Sequence, residues 1–223
     1  MDGSQGRRRS TGSRTTRRHG TAGPRPSCPV SKEETPTAPE QGVAALSVAE
    51  VARRAGVSTA APYRHFASKQ ALLIACAVAA ADSLTAQLLR TQEGLPRDEA
   101  GAADPIEAAA VSAAAYARFA AKNGSGLDLI FAPQLQNAGD EELLQAGRDV
   151  MDALLPSALA ITGGDARAAL ELLERQIAAA HGYAVLLRSG FLGRRQPTTD
   201  DVASHAAVIA RSLARDAQQA LEV

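Results

Sequence analysis

"GVSTAAPYRHFASKQALL", residues 56–73, holds an Arg, a His, a Lys and a Tyr within a few turns, in front of a hundred residues dominated by Ala and Leu. Gly56 supplies a tight turn, where a positive φ costs glycine little. Ser58 can cap the helix that follows, which the pattern carries to about His65, with Pro62 at the end of its first turn, where a missing N–H is least harmful. Before the turn, Ser47-Val48-Ala49-Glu50 has the form of a capping box and opens a short helix to Arg54. Two short helices across a glycine turn make a helix-turn-helix.

Downstream the periodicity is helical throughout. Ser68 caps a helix expected to reach Thr91, with Leu73, Cys76, Ala80, Leu84 and Leu88 as its apolar stripe. "TQEGLPRDEAGAA" reads as a linker. Asp104-Pro105-Ile106-Glu107 starts a helix to about Asn123, with cap, N1 proline and N3 acid in place. A short piece spans Leu127 to Phe131, and a helix bent at Pro156 is expected over about 139–161. Two long helices close the chain, over about 165–189 and 199–221, the last striped by Val202, Ala206, Ile209, Leu213, Ala217 and Ala220. No fixed-period repeat is visible. The expectation is an all-α protein of about eight helices.

Composition agrees. Apolar residues are 45% of the 223, aromatics only 3%, and there is no Trp. Ala and Leu therefore carry the core, and both are strong helix formers. No uninterrupted run of 18 apolar residues occurs, so no membrane span is expected. No apolar stretch follows the basic start, as a secretory signal would require. Cys28 and Cys76 lack metal-ligand spacing, and in a cytoplasmic chain they are expected to remain thiols, with Cys76 a small core residue.

Residues 1–41 differ from the rest. They carry Arg7, Arg8, Arg9, Arg14, Arg17, Arg18 and Arg25, with Pro24, Pro26, Pro29, Pro36 and Pro39 too close together for a helix. Disorder is the expectation. The net charge of zero thus hides a basic arm on a mildly acidic body, a weak hint of attraction to polyanions.

In a helix-turn-helix the second helix enters the major groove while the first crosses the backbone. Thr59, Ala60 and Ala61 open that second helix and are small enough to approach base edges. Tyr63 and His65 offer hydrogen bonds to phosphate, as do Ser47 and Ser58 near helix starts. Lys69 adds a cation at a helix N-terminus, and Arg64 either pairs with phosphate or lies on the surface. On spacing alone, a small helical subdomain with Tyr and Phe in its core fits the same residues.

"LSVAEVARRAGVSTAAPYRHFASKQALL" resembles the DNA-binding signature of the TetR family of bacterial repressors: the Ala-Gly-Val-Ser turn, Tyr63, the His65-Phe66 pair, and Lys69 with Leu72 behind it. The resemblance covers about residues 40–75. It implies that Tyr63, His65 and Lys69 hold phosphates and that Phe66 is core. It also implies a long amphipathic first helix ahead of this segment. Only its end, "PEQGVAAL", is recognisable, since "SKEETPTAP" has no apolar periodicity and two prolines. Without that wall, Val51, Phe66 and Leu72 are expected to be exposed. Two explanations compete: a tail read out of frame, which its Arg-Pro-Gly-Ser-Thr composition favours, or a genuine variant with a remodelled head.

The body's "AAAYARFAAKNGSGLDLIFAP" and "AAAHGYAVLLRSGFL" resemble a TetR C-terminal class named for a Trp-His-Gly signature. Here Ala180 stands at the Trp position, with His181 and Gly182 after it. His181 reads either as a helix-packing residue, the favoured sense, or as a ligand contact. Tyr116, Phe119 and Phe131 are among the few bulky side chains in an Ala-rich body, and either wall an apolar effector pocket or form ordinary core.

No catalytic constellation is found. The four histidines, at 19, 65, 181 and 205, sit beside no nucleophile motif, and no metal or nucleotide fingerprint occurs. No cofactor is expected. The expected organisation is a tail (1–41), a helix-turn-helix DNA-binding head (42–90) and a ligand-binding, dimerising body (100–223). The expected partners are operator DNA, an apolar small molecule and a second copy of the chain. Dimerisation is expected through the last two helices, whose stripes include Leu172, Ile177, Leu187, Ile209 and Leu213. The competing readings are a helical ligand-binding dimer that has lost DNA binding, and an enzyme with an unfamiliar helical site.

Overall fold

The computed structural model describes residues 66–193 and 196–221. Within them lie seven helices and no strand, the all-α architecture expected: α1 (Lys69–Glu93), α2 (Pro105–Lys122), α3 (Gly124–Ile130), α4 (Pro133–Gln136), α5 (Glu141–Ile161), α6 (Ala166–Arg188) and α7 (Thr199–Gln219). Most starts follow capping chemistry. The Ser68 hydroxyl accepts from the Ala71 N–H at 3.1 Å, and Asp104 accepts from Ile106 and Glu107 at 2.8 and 3.2 Å. Asp140 and Asp165 cap α5 and α6 in the same way. α7 opens with a reciprocal box between Thr198 and Asp201.

The centre of the molecule is α2, buried along nearly its whole circumference, the pattern of a helix enclosed by others. Alanine makes this possible by letting neighbours approach closely. Ala110 and Ala114 of α2 meet Ala203 and Ala207 of α7. Charge pairs hold this antiparallel contact at both ends. Arg211 donates to Glu107 through two nitrogens at 2.8 and 2.7 Å, and Arg118 donates to Asp200 at 2.8 Å.

This packing rotates α7 from the expected stripe. Its buried residues are Val202, Ala203, Ala206, Ala207, Ala210 and Ala214, which leaves Ile209 and Leu213 half-buried on the flank and Val208 exposed. Small side chains took the inner face because α2 sits too close for large ones. On α6, Leu172 likewise belongs to the interior, while Leu170, Val185 and Leu186 face outward.

α1 is long and apolar enough to cross a membrane by length and composition, the one described helix of which this is true. Its Leu72, Leu73, Leu84 and Leu88 instead pack into the same core as α2, α5 and α6. The expectation that Leu72 lies exposed is therefore corrected, and Phe66 packs half-buried against that core; Val51 lies outside the described residues. Cys76 is buried on this face and is held in a disulfide, against the expectation of a thiol. Gln92, near the end of α1, donates to Ser112 of α2 and to the Ala153 carbonyl of α5, both at 2.8 Å. That carbonyl adjoins the one left without its usual donor by Pro156, through which α5 runs unbroken to Ile161.

Candidate functional site

α6 carries Ala180, His181 and Gly182 past the short α3–α4 turn. Ala180 is buried, and His181 is half-buried with its ring directed at two aromatic side chains. The Tyr116 hydroxyl from α2 lies 3.3 Å from the His181 Nδ1. The Phe131 ring, at the C-terminus of α3, stands edge-on to the imidazole at 6.3 Å and 87°. Phe131 is more than half exposed.

These three side chains line a cleft of about 890 Å³, a volume suited to a drug-sized molecule. Ile177 and Ala178 of α6 and Pro133 at the start of α4 extend its apolar wall, while Asp128, Gln134 and Glu174 bring polar groups to it. The spacing explains the assembly. Asp128 and Phe131 are three apart, so ring and carboxylate share one side of α3. Glu174, Ile177, Ala178 and His181 recur at helical steps along one face of α6.

Burial pushes the Tyr116 hydroxyl well above the usual tyrosine range, and the Asp128 carboxylate pushes the same way. The phenol therefore keeps its proton at neutral pH and shares a hydrogen bond with the imidazole Nδ1. Asp128 itself meets Arg188 Nη2 at 3.5 Å. The Arg188 guanidinium lies over Gly124, where a Cβ would fall 1.8 Å from it, so any larger residue there must move the Arg188 side chain. On the opposite side of α3, Gly126 approaches Ala80 of α1, 3.1 Å from where its Cβ would stand.

Of the four aromatic and histidine candidates, Tyr116, Phe131 and His181 meet at the cleft and Phe119 does not. Phe119 is buried in the core, three residues on from Tyr116. Asp128, Glu174 and Gln134 were not singled out by sequence; the helical spacing just given was the available signal. Ser47, Ser58, Thr59, Ala60, Ala61, Tyr63, Arg64 and His65 lie outside the described residues. Lys69 is the first residue of α1, directly after its Ser68 cap. Among the described residues no group of three or more His, Cys, Asp or Glu side chains could hold a metal ion.

Comparison with known proteins finds a family match over part of the chain and a similar solved structure. Residues 38–76 match the family described as "Bacterial regulatory proteins, tetR family". A solved structure, titled "Structure of a protein with unknown function from Rhodococcus sp. RHA1", is similar with a TM-score of 0.55 and 27% identity, over 77% of this chain and 85% of that one. Among curated proteins nothing matches.

Proposed function

We propose that this chain, whose residues 38–76 match the TetR family of bacterial regulators, is a cytoplasmic, ligand-responsive, DNA-binding repressor that binds a palindromic operator as a homodimer. One observation carries the reading: the family segment ends at residue 76, inside α1, whose later turns join the core and pack against α3, the helix that carries Asp128 to the cleft.

In this reading the head spans 42–90 and the body 100–223. Two heads read half-sites about 34–36 Å apart. Thr59, Ala60 and Ala61 face base edges, while Ser47, Ser58, Tyr63, Arg64, His65 and Lys69 address the backbone. A small molecule against Tyr116, Phe131 and His181 shifts α3. Through the close Gly126–Ala80 contact that shift reaches α1, and so the spacing of the heads. Release of DNA then follows from linkage, provided the ligand binds the two states with different affinities. The His181-Gly182 pair supports placing the body in the Trp-His-Gly class, with Ala180, buried, standing where that class has Trp.

A second reading keeps the dimer and the cleft but not DNA binding. The prolines at 24, 26, 29, 36 and 39, where a first helix would lie, favour it. Titrating the full chain against DNA from upstream of its own gene, over a range of salt, separates the two. Operator-specific binding that weakens as salt rises supports the repressor. Equal, weak affinity for every duplex leaves the second reading.

A further inference from the structure

The charge around the cleft has one sign. Asp128 and Glu174 contribute to its lining, and among the described residues no Lys or Arg does. Glu174 is exposed and forms no ion pair among the described residues. Asp128 is only partly compensated: Arg188 reaches it at 3.5 Å, with its guanidinium lying over Gly124 on the other side. The walls between the carboxylates are apolar and aromatic, with Phe131 55% exposed. An anion here would meet two carboxylates, with Arg188 already engaged by one of them. A neutral molecule would cover the apolar wall and leave the carboxylates without a partner. A cation gains from both, because ring faces and carboxylates attract positive charge alike.

Resting on the reading of this cleft as the effector site, we propose that its ligand is a cationic amphiphile: a ring-bearing apolar body with a protonated or quaternary amine. The body lies against Phe131, Ile177 and Pro133, and the charged end faces Asp128 and Glu174. This narrows the effector from an apolar molecule to an apolar molecule with a positive end.

Three naphthyl probes of different charge test it on the full chain: (2-naphthylmethyl)trimethylammonium, its carbon isostere 2-neopentylnaphthalene, and the carboxylate anion of 2-naphthaleneacetic acid. The chain has no Trp, so naphthyl emission reads binding directly. The cation is expected to bind about tenfold more tightly than the isostere at low salt, with the gap narrowing as salt rises. Glu174→Gln should lower cation affinity about threefold and leave the isostere unchanged. Ala178→Leu, which fills the cleft, should weaken every probe that binds. If the isostere or the anion binds as tightly as the cation and Ala178→Leu weakens it, the charge class is wrong and the effector site stands. If Ala178→Leu changes nothing, or no probe binds, the effector-site reading falls with the proposal.

Discussion

Tyr116 and His181, 65 positions apart in the chain, face each other at the cleft with the phenol oxygen 3.3 Å from Nδ1. The contact joins the central helix to α6 and fixes the orientation of the imidazole. Tyr116→Phe keeps the ring and removes the hydroxyl, leaving Nδ1 facing a hydrocarbon edge. Thermal or urea denaturation should show a loss of about 0.5–1.5 kcal/mol, the usual net worth of such a bond. No loss of stability would mean that packing alone holds the two helices.

Local chemistry made much of the fold legible. Ser68 and Asp104 announce their helices because a cap is satisfied within three residues. The rotation of α7 was not legible, because it depends on which face α2 accepts. A stripe through Ile209 and Leu213 and one through Ala207, Ala210 and Ala214 differ by about one residue step, and only the closeness of α2 selects the second. The cleft shows the same division. Bulk and rarity picked out Tyr116, Phe119 and Phe131, yet the side on which each ring lies decides between core and cleft. Asp128 and Glu174 carried no mark of their own, since the packing of α3 against α6 brings them together.

Gly124 gives a prediction of sign. Replacing a helical glycine by alanine commonly stabilises by up to about 1 kcal/mol. Here the new methyl meets the Arg188 guanidinium and must displace it from Asp128. Gly124→Ala should therefore destabilise the native chain but stabilise an Arg188→Ala background. A double-mutant cycle measures the difference. The same sign in both backgrounds would show that Arg188 moves aside without consequence.

The Glu107–Arg211 pair makes stability depend on pH. The hydrogen bonds from Arg211 hold the Glu107 carboxyl below its ordinary value, against an opposing push from burial. A depressed carboxyl contributes stability above its unfolded pKa and loses it as pH falls through the lower folded value. Both side chains are about a third exposed, so the contribution is modest, about 0.2–1 kcal/mol. Glu107→Gln should lower Tm at pH 7. The gap between the two proteins should narrow as pH falls below the ordinary carboxyl range and close below the depressed folded value. A gap that persists in acid would assign the effect to packing rather than charge.

Dimerisation has a defined surface to test. Tyr183 of α6 and His205 of α7 stack with centroids 5.4 Å apart and planes 9° from parallel. Leu186 and Val208, three residues beyond each, are exposed on the adjoining turns, Val208 to 62%. A two-fold interface through α6 and α7 would cover both. Sedimentation of the full chain should give a dimer at micromolar concentration, and Val208→Glu should shift it toward monomer. A native chain that sediments as a monomer would overturn the arrangement.

DNA docking is tested best at Lys69, the one candidate contact among the described residues. It opens α1 beside the Ser68 cap, where the helix dipole adds to its own charge. A backbone contact carries no sequence information, so Lys69→Ala should weaken binding to specific and nonspecific duplexes by the same factor. It should also reduce the salt slope by about one counterion. Tyr63→Phe should weaken both kinds of duplex similarly, through a lost hydrogen bond to phosphate. Thr59→Ala should instead change the ranking among operator variants with little effect on the slope, because a base contact is worth about 1–3 kcal/mol of discrimination. Fluorescence anisotropy at several salt concentrations reads all three variants. If Lys69→Ala alters preference among operators and leaves the slope intact, the helix-turn-helix enters the groove in a different orientation from the one proposed here.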